Sequence, residues 1–360
     1  MAVASLRERL LGADRAHRSG PARLRLGWVA GGVAVLLAAV ALGAFIGPVG
    51  ISPVQALRRL AGLLPFVEDT SNLSLQHEAI LVQLRLPRVI LAAMVGGTLA
   101  ISGAAYQGAF RNPLADPYLL GAAAGAGLGA TFVIAYTNAG FGSDLMPVAA
   151  FAGALGAVAL AYAVGRAGGT GRTVTSLVLA GIAITSFLTA IQTYVQQRES
   201  QTLREVYGWI LGRLTTAGWD DVLLALPYMT VGIAAILMHR RLLDVLSVGD
   251  EEATSVGVPA TRVRLIVVVA ASLATAAAVA VSGLIGFVGL IVPHVVRLVA
   301  GSSYRVILPL SLAFGGTFVI LCDLLGRTLI SPAELPIGVV TAFFGAPFFA
   351  LVLRTSRRTL

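Results

Sequence analysis

An all-α, polytopic membrane protein of about ten spans is the fold the sequence predicts, on three observations. Hydrophobic residues make up 57% of the 360 and charged residues only 12%, far outside the composition of soluble domains. The apolar residues fall in runs of roughly 20, the length a helix needs to cross the hydrocarbon core. All 26 basic residues are arginine, and they cluster in the short segments between the runs.

Taken in order, Met1–Arg25 carries six arginines ahead of the apolar run Gly27–Ile46. A cleaved signal peptide would have an apolar region of about 7–15 residues and a small-x-small cleavage site. This run is longer and ends in Gly-Pro, so it reads as an uncleaved first span behind a basic tail (1–26). Residues 27–360 form one transmembrane domain. The further spans are Val89–Phe110, Tyr118–Tyr136, Met146–Val164, Val174–Val195, Val222–Met238, Leu265–Val281, Leu284–Val299, Val306–Leu325 and Ile337–Leu353. Between the seventh and eighth only Ser282-Gly283 offers a turn.

Ten spans place both termini on one side. The segments on that side hold 17 arginines against eight on the other, so the positive-inside rule puts both termini in the cytoplasm. Two segments on the other side are long enough to hold structure. Gly47–Arg88 contains the amphipathic piece SPVQALRRL, and Arg198–Asp221 contains Tyr207 and Trp209, suited to an interface. Ser102-Gly103 and Ser282-Gly283 are each followed by a proline ten residues after the glycine. A repeat at that five-span offset would be inverted across the membrane.

Catalytic patterns are missing from the sequence. The four histidines are dispersed, Cys322 is the only cysteine, and no HExxH or GxSxG occurs. A Walker A loop needs a lysine, and the chain has none. GAGLG (Gly125–Gly129) lies within a span, where small residues serve close helix packing. His294 and Arg297 lie three apart on one helix face. Asp323 and Arg327, four apart, are placed to pair. Arg111, Asn112, Pro113, Asp116 and Pro117 of RNPLADP form a rigid turn between spans two and three. Asp244–Arg264 reads as a short helix with acids in its first turn, Gly257 at a left-handed cap and Pro259 as a stop.

Four stretches in this order, RNPLADPYLLG, DVLSVGDEEATSVGVPATRVR, GFVGLIVPHVVR and AELPIGVVTAFFGAPFF, resemble the permease family of bacterial ABC importers for iron–siderophores, haem and cobalamin. The resemblance covers nearly the whole chain. It implies a permease subunit that translocates a ferric siderophore (or cobalamin or haem) across the cytoplasmic membrane, as a homodimer or beside a paralogous permease. Segment 244–260, with Ser247, Gly249, Asp250, Glu251, Ala253 and Gly257, would dock on a separate ATPase subunit. RNPLADP would lie near the inner mouth of the pathway. Arg58, Arg59 and Arg327 would meet an extracytoplasmic substrate-binding protein. His294, Arg297 and Asp323 remain as intramembrane polar groups. No cofactor or metal is expected on this chain, since ATP and magnesium belong to the ATPase; nucleic acid is not expected as a partner. An ion-coupled secondary transporter is the rival from another class, and it should show acidic residues near span centres.

Overall fold

A computed structural model describes residues 24–62, 70–137, 145–167, 174–212, 214–215 and 217–356. Most of the basic tail therefore lies outside the described residues. Within them the regular elements are fourteen helices. In chain order these are α1 (Leu26–Phe45), α2 (Pro53–Ala61), α3 (Leu75–Phe110), α4 (Ala122–Tyr136), α5 (Leu145–Ala167), α6 (Val174–Arg198) and α7 (Leu203–Ile210). There follow α8 (Trp219–Met238), α9 (Arg240–Leu246), α10 (Asp250–Ser255), α11 (Ala260–Ser282), α12 (Val288–Ala300), α13 (Tyr304–Thr328) and α14 (Ile337–Ser356). Each predicted span overlaps one helix, of which seven are long and apolar enough to cross a membrane and three have shorter apolar stretches, and α2, α7, α9 and α10 fill the intervening segments.

Helix α3 is the centre of the bundle: its apolar stretch is 83% buried, against 22% for α1 and α6. It packs on α13, α11, α12 and α8. Small residues make this packing possible. A Cβ on Gly96 would strike the carbonyl of Gly315, and one on Gly103 would strike the backbone of Gly289. Lipid supplies no hydrophobic drive between helices, so close backbone approach carries the association. Gly125 meets Gly153 and Gly129 meets Ala149 in the same way, joining α4 to α5 as expected for GAGLG.

Two predicted spans are shorter than expected. Helix α12 has 13 residues and α4 has 15, about 20 and 22 Å at the helical rise, while the hydrocarbon core is ~30 Å thick. Gly283 at φ +67° ends α11, and Phe287 at φ +69° delays α12, leaving 283–287 unwound. Unwound backbone among packed helices needs partners in place of water. Tyr118, in the segment before α4, supplies them for Ile285. Its hydroxyl donates to the Ile285 carbonyl (3.1 Å) and accepts from the Ile285 N–H (3.3 Å). The start of α14 is held similarly, with Gly338 N–H donating to Leu211 O at 2.9 Å.

The two Ser-Gly pairs matched in the sequence differ in local conformation. Ser102-Gly103 lies inside α3, whereas Gly283 terminates α11.

Gly103→Leu should destabilise the protein by more than the ~1–3 kcal/mol of ordinary overpacking, because the obstacle is backbone. Gly156→Ala, on an exposed face of α5 with nothing within 4 Å of the added Cβ, should be neutral or mildly stabilising. Melting of the two detergent-solubilised variants followed by intrinsic fluorescence tests this, and equal melting temperatures would refute it.

Candidate functional site

At the arginine-rich end of the bundle, the chain leaves α8, makes α9 and α10, and re-enters through α11. Neither α9 nor α10 is long enough to be stable alone. Each has one face bound to the bundle. Leu243 and Leu246 of α9 and Ala253 of α10 are fully buried. Asp244 caps the start of α13: one carboxylate oxygen accepts from Tyr304 N–H (2.5 Å), the other from Ser303 Oγ (2.8 Å), with Arg305 Nε at 3.2 Å. Asp250, in the first turn of α10, receives Arg264 Nη2 at 2.6 Å and lies 3.7 Å from Arg111 Nη2. Arg264 also donates from Nε to the Ala109 carbonyl at the end of α3 (2.8 Å). The Arg264 guanidinium holds the Asp250 carboxyl below the usual aspartate range. The two short helices are thus tied to the bundle by side chains, α9 to α13 through Asp244 and α10 to α11 and α3 through Asp250.

The opposite face of this segment is open. Ser247, Glu251, Glu252, Thr254 and Ser255 are exposed, and so are two valines, Val248 (70%) and Val256 (69%). Gly257 has φ +80°, with its N–H on Thr254 O and the Val258 N–H on Ala253 O, both at 2.9 Å. This 5→2 and 6→1 pair is the Schellman closure that the Gly257-x-Pro259 pattern predicts. Gly249 adjoins the folded-back Glu252 carboxylate, where a Cβ would collide. Ala253 is a correction. Its side chain is fully buried against the bundle, so it lies on the anchored face of α10 and not on the open one.

RNPLADP does form a rigid turn. Arg111 closes α3 at φ +51°, Asn112 Oδ1 accepts from Leu114 N–H (2.9 Å), and Asp116 Oδ1 accepts from Tyr118 N–H (2.8 Å). Pro113 is exposed, while Pro117 is buried against Gly289. His294 and Arg297 share a helix but not a partner. His294 stacks edge-on to Phe348 at 5.7 Å, and Arg297 donates to Gln107 Oε1 at 3.0 Å. Gln107 in turn donates to Gly289 O (3.1 Å), so the pair locks α12 to α3.

The sequence profile of the FecCD transport family matches residues 28–355. The chain belongs to this family. The cobalamin import system permease of Halobacterium salinarum is 43% identical over 277 residues, 77% of this chain and 74% of the relative. The Fe(3+)-citrate import system permease YfmD of Bacillus subtilis is 35% identical over 344 residues, 95% of this chain and 98% of the relative. A solved structure described as an inward-facing, metal-chelate type ABC transporter superposes with a TM-score of 0.79 at 28% identity, covering 91% of this chain and 98% of that one.

In this FecCD-family permease the arginines expected to meet a binding protein differ in their environments. Arg58 is exposed on α2. Arg59 grips Glu78 through Nε (2.9 Å) and Nη2 (2.6 Å), fastening α2 to the start of α3. Arg327 is a further correction: it is 3% exposed, donates to the Gly43 carbonyl and lies 3.7 Å from Asp323. It is a buried strut, not a surface cation. Asp323 and Arg327 do pair, but the closer partner of Asp323 is Arg88 (2.8 Å), which also holds Glu334 (2.9 Å). Sequence reasoning missed Arg88 and Tyr118, whose partners lie 235 and 167 residues away. It also missed Val248 and Val256, although two valines beside acids in a segment predicted to face water were a readable signal.

Gly257→Val should cost more than about 1 kcal/mol of local stability, through backbone strain alone, since nothing lies within 4 Å of the added Cβ. Asp250→Asn should loosen α10, whereas Glu252→Gln should change it little. Protease nicking of segment 244–260, read by mass spectrometry, should rise for the first two and stay flat for the third. Equal nicking in all three would refute the anchoring.

Proposed function

We propose that this permease is the membrane subunit of an ATP-driven importer that carries a ferric siderophore across the cytoplasmic membrane by alternating access. Two copies, or one copy beside a paralogous permease, would enclose the pathway. The arginine-rich end faces the cytoplasm and receives two ATPase subunits; the other end receives a substrate-binding protein. The observation that carries the reading is the two-sided α9–α10 segment. Its inner face is fixed to α3, α11 and α13 by Asp244 and Asp250, and its outer face presents Val248 and Val256 to solvent. Such an element transmits a push from a docked partner, because ion pairs and a helix cap connect it to three spans.

Cobalamin import is the second reading, favoured by the 43% identity to a cobalamin permease. An ion-coupled mechanism fits less well. The buried carboxylate Asp323 already has Arg88 and Arg327 beside it, so it has no vacancy for a coupling cation.

Two outcomes are expected. Val248→Asp with Val256→Asp should lower copurification of the ATPase at least about tenfold while leaving permease yield intact, because a charge placed in an apolar contact must be desolvated. Cysteine at exposed Ser255 should react with impermeant reagents only from the cytoplasmic side, and cysteine at exposed Gln76 only from outside. Outside labelling at Ser255 would overturn the orientation and the docking assignment together. The cargo is settled by the ligand that stabilises the cognate binding protein.

A further inference from the structure

Between the arginine-rich ends of α5, α6 and α11, beside α10, lies a cavity of about 560 Å³. Three arginines line it: Arg166, Arg262 and Arg264, against the single carboxylate of Asp250. Arg264 is spoken for by Asp250 at 2.6 Å. Arg166 leans on Tyr162, its Nη1 3.3 Å from the phenol oxygen and its guanidinium 5.5 Å from the ring centre. Among the described residues, no carboxylate pairs with Arg166 or with Arg262. The cavity therefore carries an uncompensated positive charge.

Its walls and surroundings fit one kind of anion. Leu177, Leu265 and Val268 give the cavity apolar lining, and Thr254 and Thr261 lie among the remaining lining residues. Val269, next to Val268 on α11, is an exposed apolar residue. A soluble anion has no use for that apolar surface. A phosphate ester with acyl chains uses both, with the phosphate on the arginines and the chains on the leucines and valines.

We infer that this cavity binds the headgroup of an anionic phospholipid, its phosphodiester held by Arg166 and Arg262. Basic pockets between spans at the cytoplasmic face are suited to such headgroups. The headgroup would rest against α10, so lipid composition would reach the segment proposed to meet the ATPase. Assignment to the cytoplasmic leaflet rests on the orientation proposed above; the binding itself does not.

The test uses the full-length permease without any ATPase, so that loss of lipid binding and loss of coupling are read separately. Retention of phosphatidylglycerol and of phosphatidylcholine is measured by native mass spectrometry for wild type, Arg166→Gln, Arg262→Gln and the double variant. Arg241→Gln, an exposed arginine at the same end but outside the cavity, is the control. Phosphatidylglycerol should be preferred, its retention falling about fivefold per cavity arginine and remaining unchanged in the control. Equal retention of phosphatidylcholine, or an equal loss in Arg241→Gln, would overturn the site. Displacement of the lipid by inorganic phosphate at matched concentration would also overturn it, showing a free-anion site instead.

Discussion

The architecture depends on helix backbones touching along α3. In lipid, apolar side chains gain nothing by leaving one another for hydrocarbon, so spans associate where dispersion contacts are dense. Gly96 against Gly315 and Gly103 against Gly289 bring the central helix onto α13 and α12 at backbone distance. Once α12 is seated there, the segment after RNPLADP has one place to go. Pro117 packs on Gly289, and Tyr118 reaches the unwound backbone at Ile285. The two short helices are therefore consequences of one packing decision. Each is short because the segment before it is used to satisfy, or to be satisfied by, the other.

Charge is arranged around this core with a strict economy. At the arginine-rich end, Asp244 and Asp250 join the α9–α10 segment to α13 and α11. At the other end, Arg88 bridges Asp323 and Glu334, while Arg85 and Arg327 donate to carbonyls near the end of α1. Each buried cation has an anion or several carbonyls within reach, which is the condition for keeping it charged away from water. The pairs are weak evidence for overall stability. Their evident effect is to fix which helices move together.

Much of this was legible in the sequence because membrane spans declare themselves by composition. All ten apolar runs are helices, the Gly257 cap was written in Gly-x-Pro, and GAGLG packs as small-residue motifs do. What failed has a common cause. Arg327 read as a surface cation because it sits at the end of an apolar run, and nothing local shows that the Gly43 carbonyl and Asp323 await it. Ala253 read as an outward contact because a two-turn helix has too few residues for its buried face to show as a period. The eighth span read as full length because Leu284–Phe287 is apolar, and hydropathy cannot tell helix from unwound chain whose polar atoms are met by Tyr118. Each of these three required a partner more than a hundred residues away, or a face too short to have a pattern.

The distribution of charge also bears on how such a permease could select its cargo. Among the described residues, the charged groups of α11 and α13 lie within about two turns of an end, and those of α3 are Glu78, Arg85 and Arg88, all in its first half. Those of α12 lie in its half toward the arginine-rich end, and α1 and α4 carry none. On the proposed reading, a large solute passing between two copies meets the outward faces of the less buried helices, and among the described residues the charged groups of α5, α6, α8 and α14 also lie near the helix ends. Discrimination by complementary charge is then available only at the ends, where desolvation is cheap. The walls between can discriminate by width alone, and a missing methylene there is worth only about 1–3 kcal/mol. On that reading, chemical specificity is imposed before entry, at the end that carries Arg58 and Glu334. That one scaffold underlies relatives named for cobalamin and for iron-citrate is the expected result of a pathway built this way.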